Sequence, residues 1–366
     1  MWKETKVVKN VSQYNFDARY GVYASTDKDK KSILYIGGKE ISLMGGGHIR
    51  SYEDKVVVQV DDGASLYDAM LYTKDGELIN VVKNTLSLAA NTNMRYLNTY
   101  MRYGVNYNDY NNLVDIETGK VIFKEDYLGV RFVFNDMIFS NRDNIVIRYD
   151  WDGSILWQHN YEPNFNVTID LGFVLEGICG GKLWVESSVD SHEILLAIDV
   201  NTGELVMAFS DSEEDTYLPH CNLGKIDAFY INVENDHLLV LAYDKEYKLF
   251  MNFINAKTLE VFEKTVYAID FDYNNGAKYL MGVSGFYGDF ITLNLECLHV
   301  DGDTSGFAIY NYKKKEVLFS HRLFTPEQTR KGLYVFDNAN YSYYNNGLFF
   351  VLDSCNTLHI FEDVKE

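Results

Sequence analysis

The stretch LLAIDVNTGELVMAF, from Leu195 to Phe209, decides how the rest of the chain is read. An apolar run, Leu195 to Ile198, meets a polar turn, Asp199 to Gly203, and a second run, Glu204 to Phe209, follows it. The side chains of Asp199 and Thr202 can bond nearby backbone amides, and Gly203 takes positive φ without a Cβ clash. Two such runs about such a turn form an antiparallel hairpin.

The hairpin recurs along the chain. Turn residues comparable to Gly203 stand at Gly38, Gly76, Gly119 and Gly153, with weaker versions around Thr258 and Lys315. Each follows an apolar run: Ile33 to Ile36, Ala69 to Tyr72, Leu113 to Ile116, Ile145 to Tyr149, Phe250 to Ile254 and Phe307 to Tyr312. Before these lie further strands, Tyr20 to Ala24, Lys55 to Val60, Tyr100 to Val105, Met137 to Ser140, Lys182 to Glu186, His237 to Tyr243 and Asp289 to His299. An eighth pair, Leu348 to Leu352 and Leu358 to Phe361, stops before its return strand. Thr5 to Val11 at the other end is a spare strand, and pairing it with Leu358 to Phe361 closes a ring.

Runs such as LLVLAY, LFFVL and KVVVQV are apolar at consecutive positions, the pattern of sheets covered on both faces. Helical spacing is nowhere sustained over three turns. The expected fold is all-β, a single β-propeller domain over residues 1–366, closed by pairing of the N-terminal strand with the C-terminal strands. Eight blades of about 46 residues suit the 366-residue length. Seven is the alternative, because the interval from Gly119 to Gly153 is short for four strands and one unit there could be spurious.

At these hairpins the chain resembles the quinoprotein-like propellers, whose repeats carry a pattern close to A-x-D-x-x-T-G-x-x-x-W. Ala197, Asp199, Thr202 and Gly203 match, with Met207 where the tryptophan stands. Asp115, Thr118 and Gly119 match again with Phe123 in the last place, and Trp157 holds that place after Gly153, where Tyr149 replaces the aspartate. Asn255 with Thr258, and Asn311 with Phe319, continue the series. The resemblance implies architecture. Quinone enzymes of that superfamily carry a cofactor, a calcium site and in many cases a disulfide between neighbouring cysteines; no neighbouring cysteines occur here, and no cofactor is expected. Trp151-Asp152 falls inside a hairpin turn, not at the strand end where a WD repeat places it.

Charge bounds the partners. With 33 basic and 53 acidic residues the net charge is -20, which disfavours nucleic acid and favours a basic protein. Cys179, Cys221, Cys297 and Cys355 form no CxxC and read as buried thiols. Met1 to Val11 is charged, without the apolar core of a signal peptide, and no run reaches the length of a spanning helix, so a cytoplasmic protein without a membrane partner is expected.

No constellation names a reaction. Asp301, Asp303 and Ser305, and likewise Asp27 and Asp29, have calcium-loop spacing without the glycine and glutamate that complete an EF-hand, so no metal is expected. His220-Cys221 would point to opposite faces of a strand. Gly45-Gly46-Gly47 lacks the Lys-Ser/Thr of a phosphate loop. Tyr103, Tyr107 and Tyr110 with Asn106, Asn108 and Asn111, and Tyr341, Tyr343 and Tyr344 with Asn345, have the composition of adaptable recognition loops.

The acids are the functional signal. Loops joining second to third strands, and sheet to sheet, emerge on one rim of a propeller. They hold Asp61, Asp62, Asp190, Glu193, Asp244, Asp301 and Asp303, and the run Ser210 to Tyr217 adds Asp211, Glu213, Glu214 and Asp215. Asp27, Asp29, Asp109, Asp143, Glu246 and Asp353 fall on the same rim. Lys39, Lys74, Lys257, Lys313, Lys314 and Lys315 weigh on the other. Asp is a good turn former, which accounts for part of this list but not for the Ser210 to Asp215 run. The expected function is non-enzymatic: an acidic face that binds a basic protein, as an immunity-type inhibitor binds a toxin. The alternatives are a hydrolase or lyase acting on a glycan or small molecule in the axial funnel, and a scaffold with several partners.

Overall fold

The computed structural model describes residues 2–12, 15–27, 29, 31–45, 47–61, 66–86, 93–103, 108–125, 131–142, 145–161, 169–189, 192–211, 220–267, 279–297, 304–329, 331–333, 342–345 and 347–364. The chain is all-β. In order it forms β1 (Trp2–Lys9), β2 (Phe16–Asp17), β3 (Val22–Thr26), β4 (Lys31–Ile36), β5 (Lys39–Met44), β6 (Gly47–Tyr52), β7 (Lys55–Asp61), β8 (Tyr67–Thr73) and β9 (Leu78–Thr85). There follow β10 (Tyr96–Tyr103), β11 (Asn108–Asp115), β12 (Val121–Glu125), β13 (Arg131–Phe134), β14 (Met137–Arg142), β15 (Ile145–Tyr149), β16 (Ile155–Asn160), β17 (Ile169–Cys179), β18 (Lys182–Val189), β19 (His192–Asp199), β20 (Leu205–Ser210) and β21 (His220–Asn222). The series ends with β22 (Lys225–Asn232), β23 (His237–Tyr243), β24 (Leu249–Asn255), β25 (Val261–Val266), β26 (Tyr279–Tyr287), β27 (Phe290–Cys297), β28 (Thr304–Asn311), β29 (Glu316–Arg322), β30 (Ser342–Asn345), β31 (Leu348–Leu352) and β32 (Thr357–Asp363). A single turn of helix, α1 (Pro326–Thr329), follows β29. Among the described residues no helix is long and apolar enough to cross a membrane.

Two compact units are formed, residues 1–83 with 268–366, and residues 84–267. In the first, strands pair in the orders β2-β3-β4-β5, β6-β7-β8-β9, β26-β27-β28-β29 and β1-β32-β31-β30. In the second the orders are β10-β11-β12, β13-β14-β15-β16, β17-β18-β19-β20-β21 and β22-β23-β24-β25; Thr85, at the start of this unit, pairs with Thr99 of β10. Within these groups neighbours in sequence are neighbours in the sheet, and all ladders are antiparallel except the short parallel pair β20 and β21. The hairpins expected from the sequence are present, from β4/β5 to β28/β29. The interval from Gly119 to Gly153 holds four strands, β12 to β15, of four to six residues each.

The terminal pairing expected from the spare strand is present too: β1 runs antiparallel to β32 from Trp2 opposite Asp363 to Lys9 opposite Thr357. Its register repeats that of five of the intact hairpins, though not of β4/β5, which pairs without a shift. A bulge falls between third and fourth strands at Leu113/Val114, Arg148/Tyr149, Ala197/Ile198, Phe253/Ile254 and Ile309/Tyr310, and the β32/β1 ladder shifts between Glu4 and Lys6. The strand supplied from the opposite end of the chain is therefore the fourth strand of the last sheet. Opposite the third-strand residue that precedes each bulge stand Phe123, Trp157, Met207, Glu263 and Phe319, and at the split hairpin Lys6 stands opposite Ile360.

Burial on both faces explains the consecutive apolar runs. On β18, Leu183 and Val185 join a layer with Phe134, Phe139 and Val146 of the sheet before, while Trp184 between them joins Leu238, Val240 and Ile254 of the sheet after. The same sharing joins Leu34 to Val56 and Val58, Phe350 to Phe16, and Phe307 to Phe349 in the first unit. Each fully buried side chain of this kind contributes about 1.5–3 kcal/mol.

The Leu195 to Phe209 hairpin forms as its residues require. Asp199 Oδ1 accepts from the amides of Asn201 at 2.8 Å and Thr202 at 3.2 Å, Thr202 Oγ1 accepts from Glu204 N at 3.2 Å, and Gly203 has φ +74°. Asn255 builds the same turn, with Leu259 at φ +64° in the glycine's place. The preceding sheet docks on the 200–203 turn: Trp157 Nε1 donates to Val200 O at 2.9 Å, Arg148 donates to the same carbonyl at 2.7 Å, and the Tyr161 hydroxyl donates to Gly203 O. The cysteine expectation needs correction. Cys179 is buried, but Cys355 is exposed, because it sits in the tight turn between β31 and β32, where Asp353 Oδ1 takes its amide.

Candidate functional site

Of the acids expected to bind a partner, the described ones take different parts. Asp244 is a turn former: its Oδ1 accepts from the amides of Glu246 at 2.8 Å and Lys248 at 2.9 Å. Asp27 does the same for Asp29 and Lys31, at 2.9 and 2.8 Å. Asp211 follows β20 directly and is half-buried, Glu193 lies exposed near the start of β19, and Asp61 closes β7. Asp62, Asp190, Glu213, Glu214, Asp215, Asp301 and Asp303 lie outside the described residues, as do Asp143, Tyr107 and Tyr341, while Ser305 falls in β28. The hairpin-turn lysines are partly neutralised, Lys257 by Asp236 and Lys313 by Asp289.

Glu193 belongs to a larger group in the second unit. On β19 the residues Glu193, Leu195 and Ala197 share one face by the period of two, and on β18 Trp184 and Glu186 do likewise. That face packs against the sheet β22 to β25, and β22 lies beside both β17 and β19. Glu193 therefore looks across the seam at Asp227 of β22, with Glu186 on the same face beside it and Glu176 of β17 near Glu186. Their electrostatics agree. Burial pushes the Glu176 carboxyl up to about 7, and the Glu186 charge adds to the effect. Burial raises Glu186 as well, and Glu193 rises through burial and the charges of Glu186 and Asp227, opposed by Lys225. Tyr243 on β23 is raised by burial and by Asp227.

All three carboxyls are raised first by burial, and Glu176 and Glu193 also by neighbouring carboxylates; groups perturbed in this way are candidates for a functional site. The arrangement can accept a cationic side chain or hold a proton near neutral pH. Glu176 and Glu186 escaped the sequence reading because each sits inside an apolar strand run, where only the fold shows what it faces. The one available signal was a glutamate breaking each run, in FVLEGI and KLWVES.

His220 and Cys221 do not form a catalytic pair. The His220 imidazole bonds Ser210 Oγ at 2.8 Å, while Cys221 packs into the neighbouring apolar layer and burial raises its pKa. Among the described residues no group of three His, Cys, Asp or Glu side chains is placed to hold a metal ion.

No family model matches the chain, and no curated protein matches it by sequence. Similar solved structures include BamB from Moraxella catarrhalis, at 10% identity and a TM-score of 0.49 over 99% of this chain and 100% of that one. The WD40 domain of Toxoplasma gondii coronin gives 8% identity and a TM-score of 0.45 over 98% and 87%. A prolyl endopeptidase gives 14% and 0.48 over 90% of this chain and 51% of that one. At these values the likenesses carry no argument about what this chain does.

Proposed function

We propose that the chain is a single eight-bladed β-propeller of quinoprotein-like architecture that works as a protein-binding module, receiving the basic side chains of a partner on acidic ground. Consecutive up-and-down sheets, the shared apolar layers and the β32/β1 ladder support the architecture. The observation that carries the binding role is the seam of Glu176, Glu186, Glu193 and Asp227, on a chain of net charge -20. A lysine or arginine entering the seam favours ionisation of the Glu176 carboxyl, which burial raises to about 7. Binding thus releases protons, and affinity rises as pH climbs toward the Glu176 value of about 7. An inhibitor of a basic toxin is one form this module takes.

The test is calorimetric titration of the full chain with an arginine-rich peptide at several salt concentrations and pH values. Affinity is expected to fall with salt, to rise from about pH 5 to 7, and to drop in the Glu186→Gln, Glu193→Gln double variant. Binding indifferent to all three would remove the proposal. A second reading has one observation in its favour: a carboxyl near 7 beside another carboxylate suits general acid catalysis on a glycan or small molecule. Hydrolysis that Glu176→Gln abolishes would select it.

A further inference from the structure

Among the described residues, the tight turns Thr73 to Glu77, Asp150 to Ser154, Asp244 to Lys248 and Asp353 to Thr357 share one hydrogen-bonding frame. In each, the amide of the first residue donates to the carbonyl of the fifth, and the amide of the fourth donates to the carbonyl of the first. The frame places the fourth residue in the left-handed region: φ is +77° at Gly76, +86° at Gly153, +57° at Asn356 and +60° at Tyr247. Glycine has no Cβ to clash there and asparagine tolerates the conformation, whereas a bulky side chain is an outlier.

Leu259 is bulky at positive φ as well, but it is only 8% exposed and packs in the apolar layer with Ile254 and Ala256, which offsets its backbone. Tyr247 is 87% exposed, so no such packing offsets its own. Its turn stands at the acidic end of the seam in the second unit. Cys179 Sγ and the Gly180 amide meet Asn232 and Asp236 at one end of the two facing sheets, so the β18/β19 junction and the β23/β24 turn share the other. Tyr243, which leads into the turn, pairs with Lys225 and feels the charge of Asp227, as Glu193 does. Within the turn Lys245 and Lys248 are matched by Asp244 and Glu246, and the Lys248 ammonium lies over the Phe250 ring, 5.5 Å from its centroid. The excess charge beside the turn is therefore negative, with Glu176, Glu186, Glu193 and Asp227 set against Lys225.

We propose that Tyr247 is a preorganised aromatic anchor that stacks on an arginine of a basic partner polypeptide, whose neighbouring basic side chains enter the acidic seam. The inference rests on the proposed protein-binding role and names a contact residue outside the acids. A guanidinium suits both halves of the surface, because it is planar, stacks on an aromatic face and pairs with carboxylates as a fork. The ring is held ready for it: Asp244 Oδ1 takes the Glu246 and Lys248 amides on either side, which fixes the turn that carries Tyr247. Tyrosine brings a large contact area with few torsions to freeze, the property that places it at binding hot spots. A tyrosine standing where the frame prefers glycine or asparagine gives up stability at that point, as binding sites commonly do.

The test titrates the full chain calorimetrically with an arginine-rich peptide, as wild type, Tyr247→Asn, Tyr247→Phe and the Glu186→Gln, Glu193→Gln double variant, and measures the urea midpoint of each. Tyr247→Asn should raise the midpoint, because asparagine fits this turn as Asn356 fits its own, and yet weaken the peptide at least ~5-fold. Tyr247→Phe keeps the ring and should hold the affinity within ~2-fold of wild type. Unchanged affinity in Tyr247→Asn, with loss in the double variant, overturns the anchor and leaves the acidic reading standing. Weaker binding by Tyr247→Asn together with a lowered midpoint overturns the anchor too, since the tyrosine then serves the fold. Equal binding of a lysine-rich peptide overturns the arginine assignment, and a wild type that binds neither peptide removes both the anchor and the reading it rests on.

Discussion

Gly203 and Gly38 form a natural experiment in what a turn glycine is for. Both have φ +74°, so replacing either by alanine incurs the same left-handed backbone cost, about 1–2 kcal/mol. Only at Gly203 does the new methyl also collide with Trp157 and His159. Gly203→Ala is therefore expected to lower stability by at least ~2 kcal/mol more than Gly38→Ala in urea denaturation. Equal losses would show that Trp157 does not dock as described. Trp157→Ala should by itself lose ~3–5 kcal/mol, because a buried indole and its hydrogen bond to Val200 go together.

Among the elements, β1 carries the largest consequence, since it completes a sheet from the far end of the chain. His359 of β32 fastens it. Its Nδ1 lies 2.7 Å from Glu4 of β1, and its Nε2 lies 3.3 Å from Asp353 in the turn before β32. Carboxylate oxygens only accept, so both nitrogens must donate, which requires the imidazolium. Burial opposes that charge, but the hydrogen bonds and charges of Asp353 and Glu4 outweigh it and raise the pKa above 6.5. His321 of β29, lowered chiefly by burial, faces the same group and adds a smaller repulsion. A raised histidine pKa means stability fully present below 6.5 and lost as pH rises through the folded value. The urea midpoint should accordingly fall on the alkaline side of 6.5, and His359→Gln should reduce that fall, the remainder coming from the raised Glu176 carboxyl. A wild-type midpoint flat across this range would contradict the fastening.

At the scale of the whole molecule, an excess of 20 negative charges repels itself, and screening relieves part of that. The melting temperature is expected to rise between about 0.01 and 0.3 M sodium chloride, where the Debye length falls from about 30 Å to below 8 Å. A fall over that range would show that ion pairs such as Arg95 with Asp115, at 3.0 Å, outweigh the repulsion. The same screening should weaken the proposed partner, so stability and affinity should move in opposite directions with salt.

Turn chemistry and consecutive apolar runs were enough to read the hairpins and the terminal pairing from sequence, because Asp199, Gly203 and their counterparts act on backbone within a few residues of themselves. Strands such as β2, β6, β13 and β22 went unread, being short or half-exposed, with no turn residue of their own to announce them. Which acids meet was beyond reach as well. Asp244 and Glu193 look alike in sequence, yet one serves its own turn and the other stands beside Glu186 of its own sheet and faces Asp227 of the next. Local conformation is determined by neighbours along the chain, whereas a carboxyl's environment is determined by residues that only packing brings near.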